Sequence, residues 1–126
     1  MSDIHLLVVE DEPDSVAVVE MILNPANIST SAAGNAEQAL SILYDHASTF
    51  SGVIIDLALP GMDGFGLMKA IRNDPALARL PLIAITAFHT PELKSKVTRA
   101  GFDAYFPKPL DTAVFLGALE RLLGTN

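Results

Sequence analysis

The chain has 126 residues, half of them hydrophobic, and no cysteine, so it can bury one core without staples and has neither disulfides nor thiolate zinc ligands to build on. Eight Lys and Arg against fifteen Asp and Glu give a formal net charge of −7, which argues against direct nucleic-acid binding by this domain. No stretch approaches the ~18 consecutive apolar residues of a membrane span, and the chain reads as one soluble, cytoplasmic domain over residues 1–126 that makes no membrane contact.

In chain order, the first predicted strand is His5 to Val9, closed by Glu10-Asp11-Glu12. Proline is tolerated in a helix's first turn and acids are favoured there, so a helix is predicted from Pro13 to about Leu23, stopped by Asn24-Pro25. Ile28 to Ala33 is a weaker strand of small and β-branched residues, suited to a sheet edge. Asn35 caps a second helix with Ala36, Ala39, Leu40 and Leu43 at helical spacing. The stretch from Gly52 to Gly64 is a buried strand, Val53-Ile54-Ile55, running into Asp56 and then a turn at Pro60-Gly61. Asp63 caps the next helix, which holds Phe65, Leu67, Met68 and Ile71 and ends at Asn73-Asp74-Pro75. Leu80 to Thr86 is another buried strand, followed by a helix from Pro91 to about Ala100 that Gly101 stops. Ala104 to Phe106 is a short fifth strand, Pro107-Lys108-Pro109 a stiff connection, and Asp111 caps a final helix with a stripe of Val114, Phe115, Ala118, Leu119 and Leu122.

Five strands alternating with five helices predict an α/β, doubly wound parallel sheet covered on both faces, with strand order 2-1-3-4-5. The crevice between strands 1 and 3 then receives Glu10, Asp11 and Asp56, and Thr86 and Lys108 end strands 4 and 5 on the same edge. Three carboxylates gathered in a partly buried site repel one another unless a cation neutralises them. An all-oxygen set with room for water suits Mg²⁺. Lys108 is placed to meet a phosphoryl oxygen as a point charge, Thr86 to donate its hydroxyl to another, and Asp56 to act as the nucleophile, since a carboxylate can form an aspartyl phosphate.

With these residues in place, the sequence resembles the receiver domain of two-component response regulators, of the chemotaxis-regulator type. The match runs over essentially the whole chain: LLVVEDEPD at strand 1, DLALPGMDG at strand 3, ITAF at strand 4 and YFPKPL at strand 5. The resemblance implies a flavodoxin-like (βα)5 fold and a regulatory phosphoacceptor in place of an enzyme. Asp56 takes a phosphoryl group from a histidine; Asp11, Asp56 and the main-chain carbonyl of Ala58 hold Mg²⁺, with Glu10 acting through a metal-bound water. Lys108 pairs with the phosphoryl group, Thr86 swings toward it, and Tyr105 follows Thr86 inward as the second half of the switch. It further implies a cis Lys108-Pro109 bond, a switching surface on helix 4, strand 5 and helix 5, and as partners a sensor histidine kinase or histidine phosphotransfer protein and a downstream output domain or protein, with a phosphorylation-dependent homodimer through helices 4 and 5 left open.

Some residues depart from that frame. Neither Ala58 nor the apolar Phe88 can orient an attacking water, which predicts slow self-dephosphorylation; the competing reading packs Phe88 into its loop as an anchor. Helix 1 is apolar around most of its circumference, through Val16, Ala17, Val18, Val19, Met21, Ile22 and Leu23, so its outer side, with Val16 and Val19, is predicted to meet a partner, which the resemblance implies is the kinase or phosphotransfer protein. His5, His46 and His89 lack metal-ligand spacing and read as surface or loop residues. Lys94, Lys96 and Arg99 read as a solvated face, and Met62 and Met68 as core fillers. Two other functions compete: a Mg²⁺-dependent phosphohydrolase of the same fold, which would want a second acid where Ala58 stands, and a pseudo-receiver that only binds partners.

Overall fold

The computed structural model describes residues 4–59 and 61–124. Five parallel strands, β1 (Ile4–Val9), β2 (Ile28–Ala33), β3 (Gly52–Asp56), β4 (Leu82–Thr86) and β5 (Ala104–Pro107), form one sheet in the order β2-β1-β3-β4-β5. The helices are α1 (Pro13–Leu23), α2 (Ala36–Asp45), α3 (Gly64–Asn73), α4 (Pro91–Ala100) and α5 (Thr112–Leu123). This is the flavodoxin-like doubly wound architecture that the alternating pattern predicts. No helix among the described residues is long and apolar enough to cross a membrane.

Side chains alternate across a strand, so the apolar runs feed two cores. Leu7, Val9, Val53, Ile55 and Ala84 pack on one face with Ala39 and Leu43 of α2, Leu67, Met68 and Ile71 of α3 and Val97 of α4. Leu6, Val8, Ile54, Ile83 and Ile85 pack on the other with Val19, Ile22 and Leu23 of α1 and Phe115 and Leu119 of α5. Only the end residues of β2 are buried, as befits an edge strand.

Helix starts follow their caps. Asn35, Asp63 and Asp111 accept from the backbone N–H groups of Gln38, Gly66 and Val114, and Thr90 caps α4 through Leu93. Gly64 opens α3 where the chain passes close to β3: a Cβ there would lie 2.8 Å from Leu57 Cα and 2.9 Å from the Asp56 carbonyl. Gly61 takes φ 70°, a left-handed turn conformation, while the Pro60 half of the expected turn falls outside the described residues. The Lys108-Pro109 bond is cis.

Five local expectations are corrected. Strand β4 begins at Leu82, not Leu80: the Leu80 N–H turns back to the Leu77 carbonyl, and Pro81 has no N–H to give the ladder. Val19 is 1 % exposed and belongs to the core, not to the outer side of α1, and Val16 is half-buried; the large exposed apolar residues there are Val18 and Met21. Phe88 is 70 % exposed, so it is not a loop anchor. His5 is half-buried on β1, its ring nitrogens each 2.7 Å from a serine hydroxyl, Ser29 and Ser31. Lys96 does more than face solvent, since its ammonium sits 4.7 Å from the centroid of the Phe65 ring.

Candidate phosphoacceptor site

The C-terminal ends of β1 and β3 bring Glu10 and Asp56 together, both buried, with the exposed Asp11 beside them. Carboxylate oxygens of the three lie within 4.8 Å of one another. Lys108, arriving after β5, places its ammonium between two of them, 2.6 Å from Glu10 Oε2 and 2.9 Å from Asp56 Oδ2. The remaining Asp56 oxygen, Oδ1, accepts from the Ala58 N–H at 2.9 Å. Lys108 also reaches Ser15 Oγ, at 3.4 Å, in the first turn of α1.

These contacts set the protonation of the site. Burial and the adjoining Asp56 carboxyl push Glu10 from 4.5 up to about 7, against the pull of Lys108. Burial alone would raise Asp56 as well, but hydrogen bonds from Glu10, the Ala58 amide and Lys108 outweigh it and hold the carboxyl below its ordinary value. Burial likewise opposes the charge on Lys108, yet its bonds to Glu10 and Asp56 win and raise it. The site therefore holds one anionic carboxylate against one ammonium at its centre, with the second buried acid poised to lose its proton. With all three acids ionised, one ammonium leaves two negative charges on an all-oxygen donor set. That surplus and those donors fit a hard divalent cation.

Thr86, at the end of β4, is 1 % exposed, and its Oγ1 accepts from the Phe88 N–H at 3.0 Å. The Lys108 N–H donates to the Thr86 carbonyl at 2.8 Å, so the two strand ends are tied together. Tyr105 is half-buried on β5, with its hydroxyl 2.8 Å from His89 Nδ1. Glu10, Asp11, Asp56 and Lys108 thus share one cluster, Thr86 adjoins it through the backbone, and the Tyr105 hydroxyl lies outside the cluster, against His89 of the β4–α4 loop. The sequence reading missed Ser15, the Ala58 amide and His89. Ser15 stands four residues after Asp11 in the first turn of α1, a spacing that could have flagged it; a backbone N–H and a contact between a loop and a neighbouring strand leave no mark in sequence.

From the rim of this site a groove of about 390 Å³ runs along α1, lined by Asp14, Ser15, Val18, Val19, Ala87, Lys108, Pro109 and Leu110. Beyond it the exposed Met21 continues the apolar surface, 74 % exposed beside Val18 at 47 %.

Residues 6–120 match the response regulator receiver domain. The chain is similar to an uncharacterized 14.6 kDa protein of Leptolyngbya boryana, 34 % identical over 96 % of this chain and 91 % of that protein. It is also similar to the gliding motility regulatory protein of Myxococcus xanthus, 30 % identical over 94 % of this chain but only 15 % of that longer protein. Among solved structures, the signal receiver domain of a signal transduction histidine kinase from Syntrophus aciditrophicus superposes with a TM-score of 0.84 at 27 % identity, covering 95 % of this chain and 89 % of the other.

Proposed function

The chain belongs to the response regulator receiver domain family, and from that premise we propose that residues 1–126 form one phosphoacceptor module of a phosphorelay. The observation that carries the reading is the seating of Lys108 Nζ at 2.9 Å from Asp56 Oδ2, inside a cluster of three acids. A carboxylate oxygen of Asp56 attacks the phosphorus of a phosphohistidine. The new O–P bond forms as the P–N bond breaks, and its electron pair stays on the departing imidazole, which takes a proton from solvent.

Each neighbour has a part. Lys108 holds Asp56 ionised and in place, then follows the transferred charge onto a phosphoryl oxygen. The Ala58 N–H fixes the rotation of the Asp56 carboxyl. Glu10, Asp11, Asp56 and the Ala58 carbonyl would hold Mg²⁺, which when bound neutralises charge on the phosphoryl oxygens. Thr86 exchanges its bond with the Phe88 N–H for one to the phosphoryl group, and Tyr105 follows, altering the surface of α4, β5 and α5. That surface engages a downstream output domain or protein, or a second copy of the phosphorylated chain. The exposed apolar side of α1, with Val18 and Met21 beside the groove that leads to Lys108, receives the histidine kinase or phosphotransfer protein. Regulation, not turnover of a small substrate, is the role of such a module, and Ala58 offers no second acid for hydrolysis.

Incubation with acetyl phosphate and Mg²⁺ separates the readings. A phosphoryl adduct that persists and is lost in Asp56→Asn supports the phosphoacceptor. Continuous release of phosphate would mark a phosphohydrolase, and no adduct at all a pseudo-receiver.

A further inference from the structure

Between the buried Thr86 and the first turn of α4, residues 87–90 are all exposed, so little packing holds this segment in place. Thr90 is fixed as the cap of α4, and two hydrogen bonds hold the residues before it. The Phe88 N–H donates to Thr86 Oγ1 at 3.0 Å, and His89 Nδ1 lies 2.8 Å from the Tyr105 hydroxyl. The His89 and Tyr105 rings also touch, with centroids 5.5 Å apart and planes tilted by 47°. Adjacent residues of one short loop thus bind the two side chains assigned to the switch, Thr86 through position 88 and Tyr105 through position 89.

We propose that His89 is a positioning residue whose imidazole latches the Tyr105 hydroxyl in its outward position and so holds the unphosphorylated protein in its resting state. The latch rests on the assignment of Thr86 and Tyr105 as the switch pair. Its logic is geometric. Tyr105 cannot turn inward while its hydroxyl stays bonded to His89 unless the loop moves with it. The loop is held by the Phe88 bond to Thr86 Oγ1, which is the oxygen that must reorient to meet a phosphoryl group. Phosphorylation therefore loosens the loop at position 88 and frees the latch at position 89. Neutral imidazole serves in either tautomer, since a tyrosine hydroxyl both donates and accepts. Because His89 is exposed, water competes for the bond, and the latch has the worth of one ordinary hydrogen bond. It biases the switch without locking it.

The test is a double-mutant cycle on the whole chain, with beryllofluoride and Mg²⁺ as the phosphoryl mimic. The Tyr105 ring is followed by NMR in a Tyr44→Phe background, which leaves it as the only tyrosine. In His89→Ala, the apparent affinity for beryllofluoride rises about three- to tenfold, and the Tyr105 signal of the free protein moves toward its beryllofluoride-bound position. With Tyr105→Phe already present, the same His89 substitution changes affinity by less than about twofold. An equal gain in both backgrounds, or none in either, overturns the latch. If beryllofluoride leaves the Tyr105 signal of the otherwise unaltered chain unmoved, the switch assignment itself fails and the latch falls with it.

Discussion

Lys108 and Asp56 stand 52 positions apart in sequence and leave strands that β4 separates in the sheet, yet the ammonium of one lies 2.9 Å from the carboxylate of the other. The same ammonium lies closer still to Glu10, at 2.6 Å. It occupies, in effect, part of the charge-balancing role that a divalent cation would share.

Removing that ammonium should change how the site takes up metal. Lys108→Met leaves three carboxylates without their fixed counter-charge, so Mg²⁺ affinity should rise on the order of tenfold, while the metal-free protein becomes less stable. Titration with Mg²⁺ and thermal unfolding with and without the ion check both parts. Unchanged or weaker Mg²⁺ binding would show that the lysine and the cation do not compete for the same charge.

Glu10 gives the metal-free protein a pH dependence. Its folded value of about 7 lies above the unfolded 4.5, so its contribution is fully present below 4.5 and is lost as pH rises through 7. Asp56 is shifted downward, so its own contribution is lost only as pH falls through its lowered value, outside this window. The melting temperature of the metal-free protein should therefore fall between these two pH values, and Glu10→Gln should flatten the curve. A slope unaffected by that substitution would assign the effect elsewhere.

The lifetime of the phosphorylated form follows from what flanks the site. Ala58 has no polar side chain to orient water, and Phe88, 70 % exposed, stands two residues beyond Thr86 without packing into the core. Loss of the phosphoryl group in Mg²⁺ buffer should take minutes or longer, and Ala58→Gln should speed it by about tenfold by offering a group that can hold water. Decay within seconds in the unaltered chain contradicts the reading.

Substitutions on α1 should separate docking from folding. Val18→Asp or Met21→Glu, both on exposed positions, should slow phosphotransfer from the cognate histidine donor and leave phosphorylation by acetyl phosphate unchanged. Val19→Asp should instead destabilise the fold by about 3 kcal/mol or more, because it buries a charge without a partner. Equal effects on both phosphodonors would place the α1 residues in the chemistry and remove the docking surface.

The contrast between Val18 and Val19 also marks the limit of what the sequence discloses. An amphipathic helix announces its buried side, but α1 is apolar around most of its circumference, so periodicity carries no phase and Val19 was misplaced. The central strands β1, β3 and β4 were legible because buried parallel strands are written as apolar runs, and three caps were legible because Asn35, Asp63 and Asp111 stand at the required positions. The gathering of Glu10, Asp11, Asp56 and Lys108 on one edge followed from topology alone, since parallel strands place all their C-terminal ends together. The start of β4 was not legible, because an apolar run does not say that Leu80 bonds back to Leu77. Nor was Arg72, whose guanidinium reaches the carbonyls of Ala78, Leu80 and Gly101 and the carboxylate of Asp103, binding the end of α3 to the loops before β4 and β5. Contacts to backbone carbonyls leave no complementary residue type to read.

The central claim is that Asp56 carries the phosphoryl group. Borohydride reduction of the chain after incubation with acetyl phosphate and Mg²⁺, followed by peptide mapping, tests it most directly. Conversion of Asp56 alone to homoserine, abolished by chelating the metal, is the predicted result. Reduction at another acid, or none in the unaltered chain, would contradict it.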